Sequence, residues 1–185
     1  MLKLTDEQMA DLSGRIAQEL FNANMEGKLF FILRHMGLDY LLDEMPGVET
    51  GNPMGKIMVI GALAASQEQL LGVAKNIGFK KERFRFLDYE EAKSYNYSNL
   101  QYSRTFCLVL IGPAPHKTTG TNDSRSLVSE LENHPDIYPH TKRLAAANGE
   151  LKISKSNFRT ALEELIHSGV ICPDVCDAVA MKMIA

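Results

Sequence analysis

No stretch of this 185-residue chain is apolar for the length that a membrane span needs, and its amino-terminal MLKLTDEQMADL is too acidic and too amphipathic for a secretory signal. The chain is therefore read as an intracellular, cytoplasmic protein with no membrane partner. Cysteine is scarce, and the three present, Cys107, Cys172 and Cys176, cannot build a disulfide framework. Cys107 stands in an apolar run, where it serves as a small buried hydrophobe. Cys172 and Cys176, near the tail, read as the more accessible thiols. No further Cys or His follows them to complete a zinc site, so no metal is assigned. A net charge of -3 carries no basic signature, and nucleic acid is not indicated.

Several catalytic and cofactor motifs are missing too. After Gly61 the second and third glycines of the dinucleotide fingerprint are absent, and there is no P-loop, so no NAD or ATP machinery and no other cofactor is implied. Neither a G-x-S-x-G elbow nor an H-E-x-x-H pair occurs. Glu130, Glu132, His134, Asp136 and His140 crowd together, but Glu130 and Glu132 cannot share a helix face and the nearby prolines mark a loop.

The pattern that is present has two parts. Residues 1–50 carry four Lys and Arg against nine Asp and Glu, and their rhythm is helical. Thr5 and Gln8 have the spacing of a capping box, and Met9, Leu12, Ile16, Leu20, Met25 and Leu29 form an apolar stripe. Gly37 is a natural stop, and a short third helix is expected from Leu38 to Met45. Such a stripe requires cover, so these helices are expected to pack on the rest of the chain or on a second copy of themselves as a homo-oligomer. The Gly- and Pro-containing GVETGNPMG marks a linker, which divides the chain into a helical segment at 1–46, a linker at 47–55 and a domain at 56–185.

Beyond the linker, strand and helix alternate. KIMVIG (56–61) reads as a buried strand, and Ser66 caps a helix running to Gly78. Arg83 to Leu87 is a second strand, followed by the helix-prone YEEAKSYNYSNL. Phe106 to Ile111 is a third strand, with a helix from about Ser124 to Asn133 that Asp123 or Ser124 would cap. HPDIYPH reads as a loop, and ELKIS as a short last strand before a strongly amphipathic helix. Strands separated by helices predict an α/β fold: a small parallel or mixed sheet with helices on both faces, Rossmann-like, preceded by a helical segment.

Chemistry is expected where strands empty into loops. Gly61, Ala62 and Ser66 follow the first strand, where small residues admit a close backbone approach and a helix start offers N–H groups. Equally, small residues there permit tight helix–sheet packing. Asp88 ends the second strand, where nucleotide-binding folds often hold a ribose hydroxyl, although a helix cap explains it as well. Gly112 opens the longest polar loop, in which His116, Lys117, Thr118, Thr119, Asn122, Ser124 and Arg125 form a donor set suited to phosphate. Lys152, Ser154, Lys155 and Ser156 form a second such set before the last helix. Tyr89, Tyr95, Tyr97 and Tyr102 could stack on a base, but packing over the sheet edge accounts for them more simply.

These residues point to a phosphorylated small molecule or nucleotide held between the Gly61–Ser66 and Gly112–Arg125 loops. Catalysis is undecided, with His116 and Asp123 as the acid–base candidates in the favoured loop. The order strand, small loop, helix, strand, strand, helix, strand, helix over Lys56 to Ile166 resembles that of BRCT phosphopeptide-binding domains. The resemblance implies a protein–protein or phosphopeptide module, with Lys117 or Arg125 where a phosphate would be met.

Overall fold

The computed structural model describes residues 3–26, 28–43, 52–115 and 126–174. It divides into two compact units, Met1–Thr50 with His167–Gly169 and Gly51–Ile166 with Val170–Ala185. Among the described residues no helix is long and apolar enough to cross a membrane.

In the first unit, helix α1 (Asp6–Met25) starts at the expected capping box. Thr5 accepts a hydrogen bond from the Gln8 amide, and the Gln8 side chain accepts from the Thr5 amide. Helix α2 covers Leu29–His35 and α3 covers Tyr40–Asp43, while the expected continuation to Met45 lies outside the described residues. Gly37 ends the α2 turn with φ at 72°, a left-handed conformation that glycine adopts without cost. Ala23 and Leu33 are buried, whereas Met9, Leu12, Ile16 and Met25 of the apolar stripe are exposed.

The second unit is an α/β fold around four parallel strands. Strand β1 is Lys56–Ile60, β2 is Phe84–Leu87, β3 is Phe106–Ile111 and β4 is His140–Arg143, in the order β2-β1-β3-β4. Register is tight at the centre, where Ile57 pairs with Leu108 and Ile60 with Ile111. The pleat sends alternate residues of β1 and β3 to opposite faces. On one face, Ile57, Val59, Leu108 and Leu110 pack with helices α4 (Gln67–Asn76) and α7 (Lys155–His167), through residues such as Leu70, Phe158 and Leu162. On the other, Met58, Ile60, Val109 and Ile111 meet α5 (Tyr89–Ser94), a 3-10 turn at Tyr97–Leu100 and α6 (Leu127–Asn133). Burial on both faces explains why β1 and β3 read as unbroken apolar runs.

Four sequence expectations shift. The stretch called loop at HPDIYPH ends in β4, whose polar HTKR carries no apolar alternation because it is a half-exposed edge strand. ELKIS forms only single bridges, Leu151 to Ala145 and Ile153 to Leu63. Helix α6 begins at Leu127 with Ser126 as its cap, accepting from the Ser129 amide, rather than near Ser124. YEEAKSYNYSNL breaks at Tyr95, because Asn96 turns its side chain onto the Ser98 amide and starts the 3-10 turn. The tyrosines there pack as expected: Tyr97 is buried and donates to the Ala92 carbonyl, and Arg85 lies 5.3 Å from the Tyr95 ring centre.

At the amino edge of the sheet, Arg83 is a buried charge with many partners. Its Nε donates to the Gly55 carbonyl at 2.8 Å, and its two terminal nitrogens donate to the Cys172 and Pro53 carbonyls at 3.1 Å each. The Asp174 carboxylate lies 3.4 Å away and also accepts from the Lys80 amide. The Phe79 ring lies beneath the guanidinium. Removing one partner of a buried ion pair typically costs about 3–5 kcal/mol. Arg83→Met is therefore expected to lower unfolding stability by that amount in urea titration, while the exposed neighbour Lys81→Met stays within about 0.5 kcal/mol.

The thiols correct a further expectation. Cys172 is buried, its amide bonded to the Pro53 carbonyl, so its place near the tail does not make it accessible. Cys107 is half-buried, and its thiol contacts the Gly55 carbonyl at 3.2 Å. Burial pushes its pKa up, against a smaller opposing pull from Arg83. Both thiols are expected to label slowly at neutral pH and rapidly after denaturation, as followed by mass spectrometry. Cys176 lies outside the described residues.

Candidate functional site

Of the sequence-predicted site residues, Gly61, Ala62, Ser66, Asp88 and Gly112 are described; His116, Lys117, Thr118, Thr119, Asn122, Ser124 and Arg125 lie outside the described residues, as does Asp123. The strand order sets the context. β1 and β3 are neighbours, and their following helices, α4 and α6, cover opposite faces. This is a topological switch point, and the crevice at its carboxyl end is where open α/β sheets hold ligands.

The described residues at that crevice are already engaged with one another. The Gly61 amide donates to the Leu87 carbonyl, the Ala62 amide to the Pro113 carbonyl at 2.9 Å, and the Ala64 amide to the Ile153 carbonyl at 2.9 Å. A methyl group on Gly61 would stand 2.4 Å from the Pro113 oxygen, and one on Gly112 would stand 2.4 Å from the Ile153 side chain. These glycines are small because two loops and the chain before α7 close on them. The Ser66 hydroxyl accepts from the Gln69 amide as the α4 cap. Asp88 accepts from the Glu90 and Glu91 amides at 2.9 and 2.8 Å as the α5 cap.

A cavity of about 590 Å³ opens on the same edge, between the end of β4 and the start of α7. Its walls include Lys142, Lys152, Ser154, Ser156 and Thr160, with Ala145, Ala146, Ala147 and Ala161 supplying the small apolar part. Asn157 braces it: its side-chain amide donates to the Ala145 carbonyl at 3.0 Å and the Lys152 carbonyl at 2.6 Å, and its oxygen accepts from the Ser154 amide. Lys142 pairs with Glu164 across the rim, and Arg143 with Glu132 of α6. Lys152 is exposed and has no ion pair among the described residues.

Sequence reading found Lys152, Ser154 and Ser156 here but missed Lys142 and Thr160. Lys142 belongs to β4, of which only His140 falls in the stretch that reads as a loop, and Thr160 reads as an ordinary exposed helix position. The acidic and histidine cluster near α6 disperses. Glu130 is buried and accepts from the Tyr138 hydroxyl at 3.2 Å, Glu132 is held by Arg143, and His134 stands 4.0 Å from Glu130. Among the described residues no three His, Cys, Asp or Glu side chains are grouped to hold a metal.

Two glycines test the packing account. Gly61 has φ at 116°, so Gly61→Ala combines a strained backbone, worth about 1–3 kcal/mol, with a clash against Pro113. Gly72, in the middle of α4 with open space around it, should gain about 0.5–1 kcal/mol on replacement by Ala. Urea unfolding of the two variants should therefore move in opposite directions. No protein-family model, curated protein or solved structure matches this chain.

Proposed function

We propose that the α/β unit binds a phosphorylated small molecule or nucleotide at the carboxyl edge of its sheet, across the crevice flanked by the 61–66 and 112–125 loops. The supporting observation is the strand order, which brings β1 and β3 side by side while their helices diverge to opposite faces. The composition of the 116–125 loop, with His116, Lys117 and Arg125 among Thr, Asn and Ser, fits an anionic ligand. Asp88 and the amides of Gly61 and Ala62 are occupied in local contacts, so the described part of this crevice supplies shape rather than charge.

A second reading is recognition of a phosphopeptide. It is favoured by the element order of the unit, which keeps a helix after β1, β3 and β4 with only the short α5 and a 3-10 turn between β2 and β3.

A thermal-shift screen of the full chain against nucleotides, sugar phosphates, phosphoserine peptides and their dephosphorylated counterparts tests both readings. A ligand that binds only the native state stabilises it by about 2.7 kcal/mol at about 100 times its Kd, a rise of several degrees in Tm for a chain of this size. The expected result is a rise with phosphorylated small molecules that is absent with the dephosphorylated ones. A rise confined to phosphopeptides supports the second reading, and no rise with any phosphorylated compound rejects both.

A further inference from the structure

The donors that phosphate needs are scarce in the described part of the crevice but present beside it. Ile153 is the link. Its carbonyl accepts from Ala64, it bridges to Leu63, and its side chain fills the space over Gly112. Its neighbours Lys152 and Ser154 line the cavity between β4 and α7. We propose that this cavity takes the phosphate end of a metabolite-sized phosphate monoester; the inference rests on the phosphorylated-ligand reading above and names the residues of that sheet edge that hold the charge.

The charge balance of the cavity singles out Lys152. Lys142 is neutralised by Glu164 at 2.5 Å, and Arg143 is turned to Glu132 on the opposite face of the sheet. That leaves one positive charge, Lys152, without a carboxylate among the described residues. Around it stand short hydroxyl donors. Ser156 and Thr160 are four apart on α7 and so share one face, and the Ser154 hydroxyl lies 3.1 Å from that of Ser156.

This set suits a phosphate monoester better than a carboxylate. A monoester presents three peripheral oxygens to a compact ammonium and several hydroxyls, whereas a carboxylate is best matched by a guanidinium fork, and the one at Arg143 is taken. Within the cavity lining one cation alone lacks a carboxylate, whereas a nucleic-acid backbone requires a track of them. The alanines on the facing wall leave room for the remainder of the ligand, and a volume of about 590 Å³ is that of a pocket for one small molecule.

Titration calorimetry of the full chain with adenosine 5′-monophosphate, glycerol 3-phosphate and inorganic phosphate, with adenosine as control, decides the matter. Lys152→Ala should weaken the phosphorylated probes at least tenfold, Lys152→Glu should abolish their binding, and Thr160→Val should weaken them severalfold. Lys155→Ala, an exposed cation of the same segment outside the cavity lining, should stay within twofold. Circular dichroism and unfolding curves identical to the parent's would show that the fold is intact, as expected for an exposed lysine. If a probe binds Lys152→Glu as it binds the parent and is lost from a Lys117→Ala, Arg125→Ala variant, the cavity is not the phosphate site, and the phosphorylated-ligand reading survives without it. If the parent binds no phosphorylated probe at millimolar concentration, the reading falls and this inference falls with it.

Discussion

The buried guanidinium of Arg83 is the constraint around which the α/β unit is arranged. One side chain satisfies carbonyls at Pro53 and Gly55, where the chain approaches β1, and at Cys172, where it leaves the Val170–Cys172 stretch, and it meets Asp174 as well. These carbonyls lie at the edge of the core, where a charge-assisted hydrogen bond from a guanidinium is worth more than a neutral one. Arg83 ends the 3-10 turn that leads directly into β2, so the same contact fixes where that edge strand begins and how it pairs with Ile57. Asp174 reinforces this by accepting from the Lys80 amide at the start of the turn. A single residue thus couples three segments far apart in sequence.

At the opposite edge of the sheet the ordering principle is close packing. Gly61 meets Pro113, Gly112 meets Ile153, and Ile153 bonds to Ala64, so the loop after β1, the loop after β3 and the approach to α7 form one joined surface. Small residues there admit other parts of the same chain, and among the described residues Lys152 and Thr160 stand exposed beside this closed surface. The caps at Ser66, Asp88 and Ser126 act alike: polar residues between a strand and the next helix serve that helix.

Most of the architecture was legible because its signals are local. β1 and β3 are continuous apolar runs bounded by glycine, and Thr5 and Ser66 sit three residues before a glutamine, so their helices start where the pattern says. β4 was illegible for a physical reason. Among the described residues it pairs on one side only, its exposed positions are polar, and its HTKR follows two prolines, so nothing in its residue order separates it from a loop. Ser126 lost to Ser124 as the expected cap of α6 because several adjacent polar residues offer the same local chemistry. The candidate site was legible in half. Lys152 and the serines stand out as a cluster of donors, but the facing alanines and Thr160 join them only through the tertiary path of α7. Arg83 gave no signal, since three of its partners are backbone carbonyls and its carboxylate, Asp174, is far away in sequence.

The two edges of the sheet have a consequence for how copies of this protein can meet. β2 and β4 are each four residues long, and they expose Arg85 on one edge and His140 and Arg143 on the other. Short margins that carry exposed arginines are poor templates for a further strand, because an incoming backbone would have to desolvate those side chains over too few hydrogen bonds. Arg143 and Lys142 are also braced by Glu132 and Glu164 of the flanking helices, which stand guard beside the open hydrogen-bonding row. Both margins of the sheet, as far as the described residues form it, are thus unfavourable for strand addition, the contact through which edge-to-edge stacking seeds fibrils.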